Sequence, residues 1–442
     1  MDQQITLAAV TAQLLDLGVR RAYIKPLAEN DNSKNQIYLG GGDWAVLNAL
    51  PVTRWLEPAA TSRGYIVKGE LAFAWIDGRG GVAPVPAARL ILYPQYPEIR
   101  LSGFLRGAAG APAFVGQRLP GRVLLFGVTG DNRIYAFAGQ AEDPISREIL
   151  AQERTRAAGS LYEIALTDDR DRRRVLLEAL HRIHLRGWID AARLASDGSR
   201  LPCRGPNCGG YTLEAELGIS MNARAEPDYL GWEVKQHQVA AFDRLDAGVL
   251  TLLTPEPTAG FYRIGGVEAF VRRFGAPDAL GRADRLNFGG IHRYGVRSPR
   301  TGLTLRTPGW GVADGRLVDP RGGLALLTDE GEAAALWPFT RLIEHWQRKH
   351  LRAAYVPSMR RLEPARQYCY GSMVRLGERT DFGLFMNALV EGLVYYDPGI
   401  KLEQATGPHP EVKRRNQFRI ASRDLTRLYA SMETVHTAPA TA

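Results

Sequence analysis

A short segment near the middle of the chain places two carboxylates and one ammonium at a spacing that can do chemistry. Pro227 and Asp228 are followed after four residues by Glu233, and Lys235 comes two residues later. Residues 230–235 are mostly apolar or aromatic, which favours a β-strand. Because side chains alternate along a strand, Glu233 and Lys235 point to one face of it. Asp228 precedes this strand in a turn that begins at Pro227, so all three charged groups can converge.

This set of groups has the composition of a site for metal-dependent phosphodiester hydrolysis. Paired carboxylates such as Asp228 and Glu233 bind a hard divalent cation, and Mg²⁺ prefers oxygen ligands of this kind. A bound metal polarises a phosphate and helps to deprotonate water. Lys235 can position that water or stabilise the developing negative charge. The same spacing also fits an exposed edge strand with a Glu–Lys pair, so the pattern alone leaves both interpretations open.

Two motifs upstream of these residues favour the catalytic interpretation. Residues 209–214 read GGYTLE, and residues 217–219 read LGI. With the charged pattern, this run resembles the MvaI/BcnI family of restriction endonucleases, which are relatives of the mismatch-repair nicking enzyme MutH. In that family a helix with a similar TLE motif supplies a further acidic residue, and Glu214 matches its position. The resemblance implies that Asp228 and Glu233 are metal ligands and that the catalytic residues are Asp228, Glu233, Lys235 and Glu214.

The resemblance covers nearly all of residues 160–435 and implies a mixed α/β fold of the MutH type. It further implies Mg²⁺-dependent cleavage by a monomer that cuts a short pseudo-palindromic site such as CCNGG one strand at a time. In the C-terminal part of the family, an acidic residue and arginines contact base edges, and Asp397 and Arg419 occupy comparable places. Aspartate can accept from cytosine and arginine can donate to guanine, which suits a G·C-rich site.

Other polar residues of this region are candidates for DNA contact. His292 and Arg293 lie in the glycine-rich segment 287–296, which can approach a groove or form an ordinary turn between strands. The basic run Lys413, Arg414 and Arg415 precedes Arg419. These three side chains can bind phosphates without reading bases.

The first 150 residues read mostly as short β-strands with Gly and Pro turns, which is typical of a barrel-like domain. Residues 23–31 read YIKPLAEND and resemble the start of the N-terminal effector domain of EcoRII-type restriction enzymes. That resemblance implies a DNA-binding pseudobarrel in which two arms grip the major groove. Residues 96–106 are a candidate for the second arm. The candidate contacts, each of which is as readily a solvated loop residue, are Lys25, Asn30, Asp31, Lys34 and Gln36 on the first arm and Arg100 and Arg106 on the second.

Composition agrees with a DNA-binding protein but does not decide the matter. The formal net charge is +9, and residues 1–150 contribute little of it, with 15 basic against 13 acidic residues. A basic balance favours a polyanion such as DNA, but it also serves solubility. The three cysteines, Cys203, Cys208 and Cys369, are too few for a disulfide scaffold and fit a reducing cytoplasm. No apolar run reaches about 18 residues, so no transmembrane helix and no membrane partner are expected.

These observations predict a two-domain DNA endonuclease. We expect a DNA-binding effector or specificity domain at residues 1–150, a polar linker within residues 139–165 and an endonuclease domain at residues 160–435. An effector domain beside such a nuclease would make the enzyme respond to a second copy of its duplex DNA site, as type IIE enzymes do. A cognate DNA methyltransferase would complete a restriction–modification system for phage defence.

Two alternatives keep the same residues. The first is a repair-type endonuclease that nicks one strand and needs partner proteins. The second is a DNA-binding regulator whose nuclease has decayed, and the intact Asp228, Glu233 and Lys235 argue against it.

Overall fold

A computed structural model describes residues 5–29, 36–41, 44–62, 64–96, 98–105, 107–151, 155–164, 166, 169–205, 207–220, 229–350 and 352–438. The chain forms two compact units. The first contains residues 1–176 and 225–231, and the second contains residues 177–224 and 232–442. Among the described residues, no helix is long and apolar enough to cross a membrane.

The first unit is rich in β-structure. Its helices are α1 (Leu7–Asp16), α2 (Ala45–Ala49) and α3 (Pro144–Ala151), with a 3-10 helix at Ala113–Gly116. Its strands are β1 (Val19–Pro26), β2 (Gln36–Gly41), β3 (Arg54–Trp55), β4 (Ala59–Thr61), β5 (Gly64–Glu70), β6 (Ala72–Ile76), β7 (Val82–Pro84), β8 (Arg89–Tyr93), β9 (Glu98–Ser102), β10 (Val123–Thr129), β11 (Arg133–Gly139), β12 (Thr155–Ala158) and β13 (Leu161–Ile164).

Two sheets organise these strands. One has the order β12-β13-β1-β10-β11-β6-β7, and the other has the order β2-β9-β8-β5-β3 with β4 on β5. Strand β10 is buried along its whole length, and Val10 and Leu14 of α1 pack into the core beside the first sheet. The segment 139–165, which the sequence predicts to be a linker, instead contributes α3 and two strands. Its polar side chains misled that prediction, because β12 is an edge strand and an edge strand needs few apolar residues.

The second unit begins within helix α4 (Asp169–Leu185). Its other helices are α5 (Cys208–Glu216), α6 (Phe261–Ile264), α7 (Gly266–Phe274), α8 (Phe339–Lys349) and α9 (Phe382–Val390), with a 3-10 helix at Ser422–Leu428. Its strands are β14 (Ile189–Asp190), β15 (Ala192–Leu194), β16 (Arg200–Pro202), β17 (Glu233–Gln238), β18 (Val249–Leu253), β19 (Ala276–Pro277), β20 (Arg285–Gly289), β21 (Thr304–Arg306), β22 (Trp310–Gly311), β23 (Arg316–Leu317), β24 (Gly323–Leu327), β25 (Ala333–Pro338), β26 (Arg352–Arg361), β27 (Gln367–Tyr370), β28 (Met373–Glu378), β29 (Val394–Tyr396), β30 (Gly399–Glu403), β31 (Glu411–Lys413), β32 (Phe418–Ala421) and β33 (Ser431–His436).

Two sheets of this unit carry the residues of interest. In the first, the order is β14-β27-β26-β28-β33, and β17 pairs with β26 in parallel. In the second, β18 and β29 flank β32, and both run antiparallel to it. With 22% helix and 39% strand, the chain has the predicted mixed α/β class.

Candidate active site and DNA-facing surface

Strand β17 holds the two described residues of the predicted catalytic pattern. Leu230 and Gly231 have φ angles of 50° and 88°, so they form a tight turn, and the strand starts at Glu233. The predicted strand therefore begins three residues later than expected and continues to Gln238. Trp232 and Val234 are buried. Glu233 and Lys235 share a face because they are two residues apart in extended backbone.

The Glu233 carboxylate is buried, and only one of its two oxygens has a hydrogen-bond partner among the described residues. Its Oε1 lies 2.9 Å from Lys235 Nζ, and the two side chains are 6% and 16% exposed. Its Oε2 has no hydrogen-bond partner in the part of the chain that the structure describes. A buried acceptor without a partner costs about 1–3 kcal/mol, and more when it is charged. This oxygen therefore fits a ligand that supplies positive charge, as Mg²⁺ would.

The third charged residue of the pattern, Asp228, lies outside the described residues, as does the rest of segment 221–228. Within the described residues, no group of three or more His, Cys, Asp or Glu side chains lies close enough to hold a metal ion. The metal-binding role of Asp228 thus stays a prediction.

Helix α5 packs against β17 and carries Glu214, which is half-buried. The close approach requires Gly209, because a Cβ there would lie 2.8 Å from Gln236 Oε1 and 3.0 Å from the Tyr368 ring. The Tyr370 hydroxyl donates to the Gly209 carbonyl at 2.7 Å. These contacts account for the first glycine of the GGYTLE motif, where the helix comes close to the strand that holds Glu233.

A disulfide joins Cys203 to Cys208 at the start of α5. The sequence predicted that three cysteines are too few for a disulfide scaffold, and this one bond closes only a short loop. Sequence spacing did not predict the bond because a short pair of cysteines is equally compatible with free thiols. Cys369 is a free cysteine.

The face of the sheet that carries Glu233 and Lys235 continues onto two neighbouring strands. Lys235 is in register with Tyr355 of β26, and Tyr355 is in register with Arg375 of β28. The Tyr355 hydroxyl lies 2.9 Å from the hydroxyl of Tyr429, and both rings are buried. Burial raises the pKa of both tyrosines above the ordinary value, so both are neutral. The negative charge of Glu233 acts on both hydroxyls, which places the pair beside the carboxylate.

His237 extends the same row along β17. Burial and the nearby Arg375 guanidinium lower its pKa to about 4, although the carbonyl of Leu245 opposes this shift. Arg375 donates to the Ser422 carbonyl and hydroxyl, both at 2.6 Å, and lies 3.2 Å from Asp246. Sequence reasoning missed these neighbours. Extending the two-residue period from Glu233 and Lys235 would have found His237.

A second cluster lies on the three-stranded sheet β18-β32-β29. Arg419 is in register with Tyr395, and its Nη1 donates to Asp397 Oδ2 at 2.6 Å. The two residues that the sequence assigned to base reading are therefore brought together. The Arg293 guanidinium lies 4.6 Å from the centre of the Tyr395 ring and is exposed.

His292, predicted to contact DNA, is fully buried instead. Its Nε2 lies 2.8 Å from the Thr301 hydroxyl, and its backbone pairs with Tyr396. Burial lowers its pKa to about 4, so the ring is neutral. This correction reflects the aromatic packing of His292 against Phe288, 5.7 Å away between ring centres, which the sequence does not reveal.

The basic run before Arg419 is exposed. Lys413 Nζ lies 2.5 Å from Glu403 and 3.7 Å from Glu411, so two carboxylates already neutralise much of its charge. Arg414 and Arg415 are exposed as well. Arg414 and Arg415 are thus better placed than Lys413 to meet a phosphate.

In the first unit, one candidate from each predicted arm lies on a neighbouring strand: Gln36 on β2 and Arg100 on β9. Arg100 of β9 donates to Gln36 Oε1 at 3.4 Å, and Gln36 donates to the Tyr93 hydroxyl at 3.3 Å. Lys25, in contrast, is 4% exposed, and its Nζ donates to the Pro26 carbonyl. Its predicted DNA contact is corrected, because β1 lies inside the first sheet. The other candidates lie outside the described residues, and they are Asn30, Asp31, Lys34 and Arg106.

A buried carboxylate and ammonium on one strand of a mixed sheet, beside a helix with a second carboxylate, are the arrangement expected of a metal-dependent nuclease. The sequence model of the MvaI/BcnI restriction endonuclease family matches residues 177–429, more than half of the chain. The chain belongs to this family, as its motifs predicted. It is a restriction endonuclease, that is, a site-specific deoxyribonuclease. The match does not include the first unit's residues 1–176, so the EcoRII-type resemblance stays a prediction.

Two solved structures are similar to the chain. The complex of restriction endonuclease MvaI with its cognate DNA substrate has 18% sequence identity and a TM-score of 0.43, covering 59% of this chain and 96% of that one. MvaI in the absence of DNA has 16% identity and a TM-score of 0.34, covering 62% and 99%. No curated protein matches the sequence.

Proposed function

We propose that this restriction endonuclease hydrolyses both strands of a DNA duplex with Mg²⁺ as cofactor. Asp228 and Glu233 would hold the metal, Lys235 would act beside it, and Glu214 would add a further carboxylate. The observation that carries the proposal is the buried Glu233 carboxylate, whose Oε2 lacks a partner in the described part of the chain while Oε1 faces Lys235. A purely structural Glu–Lys pair would have little reason to bury such an oxygen.

The roles of the residues follow from their environment. When bound, Mg²⁺ would polarise the scissile phosphate and favour deprotonation of water. Burial of Glu233 keeps its carboxylate in a low-dielectric site, where its attraction for a cation is stronger than in water. An ammonium has three donors, so Lys235 can hold Glu233 and also donate to a water or to a phosphate oxygen. Helix α5 would bring Glu214 towards the same face through the contact at Gly209.

Plasmid cleavage tests this proposal. Wild-type protein with Mg²⁺ should convert supercoiled plasmid to linear fragments, and EDTA should stop it. Glu233→Ala and Lys235→Ala should abolish cleavage, whereas the exposed control Glu330→Gln should cut normally. Nicked circles without linear DNA would instead identify a repair-type nicking enzyme, and intact plasmid would identify a regulator. A Glu233→Ala protein that cuts at the wild-type rate would show that the assigned site is wrong.

For sequence reading, we propose that Asp397 and Arg419 contact base edges of a G·C-rich site related to CCNGG, and that Arg414 and Arg415 contact phosphates. The Arg419–Asp397 pair supports this role because a donor and an acceptor stand side by side on one strand pair. We further propose that the protein acts as a monomer in the cytoplasm with a cognate methyltransferase. Sequencing the ends of cleaved plasmid would reveal the site, and light scattering would reveal the oligomeric state.

We also propose that the first unit binds a second copy of the site, as in type IIE enzymes. Support comes from Gln36 and Arg100, whose side chains are types that read base edges and which contact each other on adjacent strands. Tethering two binding sites raises the effective concentration of the second. Full-length protein should therefore cut a two-site plasmid faster than a one-site plasmid.

A fragment that starts near residue 169 tests this role of the first unit. This start leaves β12 and β13 with the sheet that they belong to. The fragment should cut one-site and two-site plasmids equally well. A first unit that binds no duplex at low salt would contradict this role.

A further inference from the structure

The end of the three-stranded sheet β18-β32-β29 holds an exposed carboxylate that the function described above does not use. Glu256 follows β18, and Asp397 follows β29. The last residues of both strands are in register with Phe418, the first residue of β32. Glu256 therefore lies at the same end of the sheet as Asp397. The segment just before β32 meets both, because Asn416 donates to Glu256 and the Gln417 carbonyl accepts from the Asp397 backbone.

The residues that flank Glu256 in the sequence restrict its backbone conformation. Pro255 and Pro257 flank it and are buried, while Glu256 itself is exposed. Proline fixes its own φ and confines the preceding residue to extended conformations. The Trp337 indole also donates to the Pro255 carbonyl at 2.9 Å. The side chain of Glu256 is thus presented to solvent from a turn that has little freedom left to lose.

The carboxylate of Glu256 is held at both oxygens by buried donors. Asn416 Nδ2 donates to Oε1 at 2.7 Å, and the Tyr262 hydroxyl donates to Oε2. Asn416 in turn accepts from the hydroxyl of Tyr396, and all three partners are buried. Burial and the Glu256 carboxylate raise the pKa of Tyr262, so it stays a neutral donor. Each carboxylate oxygen can accept a further hydrogen bond on its exposed side.

Charge also argues for a specific ligand. The Arg414 cation acts to lower the pKa of Tyr262, and the carboxylates of Glu256 and Asp397 both act to raise the pKa of Tyr396. Glu256 thus stands among groups that we assign to DNA contact. A fixed carboxylate repels a phosphate, so it would weaken binding if the backbone of DNA approached it. It gains a hydrogen bond only where a base edge offers a donor, and in the major groove those donors are the amines of cytosine and adenine.

We propose that Glu256 is a specificity-determining residue that accepts a hydrogen bond from the exocyclic amine of a cytosine or adenine in the recognition site. This inference rests on the proposed DNA-reading role of the same sheet. Tyr262 and Asn416 are positioning residues, because they hold the carboxylate and do not themselves face the duplex. The rigid turn and the two buried donors make Glu256 a preorganised acceptor, which saves the ordering cost that a flexible glutamate would incur.

Duplexes with modified bases test the inference on the full-length protein. After the cleaved site has been sequenced, each cytosine or adenine is replaced in turn by N4-methylcytosine or N6-methyladenine, which put a methyl group in the place of the groove-facing hydrogen. Substitution by 5-methylcytosine, which keeps the amine, is the matched control. The specificity constant for cleavage is measured for wild type, for Glu256→Ala, which removes the acceptor oxygens, and for the exposed control Glu330→Ala.

We expect wild type and Glu330→Ala to lose roughly 5- to 150-fold at the amine that Glu256 reads, in addition to the loss at the cytosine amine assigned to Asp397. Glu256→Ala should lose a similar factor on the unmodified site and little more when its own amine is methylated, while it keeps the wild-type sensitivity at the Asp397 position. The base whose methylation no longer matters in Glu256→Ala distinguishes cytosine from adenine. Tyr262→Phe should reduce the loss that methylation of this amine causes, because Glu256 is then held less firmly. If Tyr262 only supported the fold, the variant would instead lower cleavage of all duplexes equally.

Two results would overturn the inference. If wild type cuts DNA and Glu256→Ala responds to every modified duplex as wild type does, Glu256 reads no amine although the proposed function stands. If wild type cuts no DNA under any metal condition, the proposed function fails and the role of Glu256 fails with it.

Discussion

Removing the charges of Glu233 and Lys235, singly and together, probes the geometry on which the active site depends. Glu233→Gln leaves the Lys235 ammonium without its carboxylate, and Lys235→Met leaves Glu233 without its cation. Breaking a buried ion pair from one side costs about 3–5 kcal/mol. The Lys235 side chain is 16% exposed and so keeps some hydration. We therefore expect about 2–4 kcal/mol for each single change.

The double variant should recover more than half of that loss, because it removes both charges of the pair at once. Hydrogen exchange in EDTA, read on peptides that cover β17 and β26, measures the opening free energy of this part of the chain. Exchange is the suitable assay because unfolding of a chain with two compact units need not be two-state. All three variants should be inactive in plasmid cleavage, so the double variant should regain stability without regaining activity.

The reasoning is refuted if the double variant exchanges as fast as the less stable single variant. That result would mean that Glu233 and Lys235 do not compensate each other, and that the carboxylate is stabilised by other groups. The exposed variant Glu330→Gln, which should not change exchange in these peptides, controls for a general effect of losing a carboxylate.

Three further predictions follow from the same structure. Burial and Arg375 lower the pKa of His237 to about 4, below its unfolded value of about 6.5, so the unfolded chain binds more protons between these values. Stability should be complete above pH 6.5 and fall as the pH drops towards 4, and thermal scans of His237→Asn should show a weaker dependence in this window. Tyr429→Phe removes a buried hydroxyl–hydroxyl bond and should cost about 1–3 kcal/mol in hydrogen exchange, and no change would contradict the contact. In binding titrations Arg419→Ala should lose preference for the cognate duplex, Arg414→Ala should weaken binding to all duplexes and flatten its salt dependence, and Lys413→Ala should do less than Arg414→Ala because two glutamates already pair with it.

Periodicity and motif spacing predicted the strand that holds Glu233 and Lys235, and local conformation shifted its start. The alternation of Glu233 and Lys235 follows from extended backbone, so it could be read without a structure. The positive φ angles of Leu230 and Gly231 could not, since leucine rarely adopts them. These two residues form a turn before the strand, although the sequence pattern predicted them to be the first two residues of the strand.

Residue type was a weaker guide than periodicity for the DNA contacts. Lys25 became a candidate through the EcoRII-type resemblance and His292 through its glycine-rich segment, yet both are buried, one in a sheet strand and one among aromatic rings. Arg100 and Gln36, chosen on the same grounds, do lie together on the second sheet of the first unit. What separates the two outcomes is which face of a strand a residue occupies, and that depends on pairings between distant segments.

The same dependence on distant segments distinguishes the two glutamates that matter most in this chain. Glu233 and Glu256 are identical in type, and the sequence places a basic residue beside only the first of them, at Lys235. Glu233 is buried and has one oxygen without a partner among the described residues, which favours a cation. Glu256 is exposed and has a buried neutral donor on each oxygen, which favours one more hydrogen-bond donor without a full charge. Because those donors come from α6 and from the segment before β32, only the folded chain shows that two glutamates of the same type have such different surroundings, on which the two proposed roles rest.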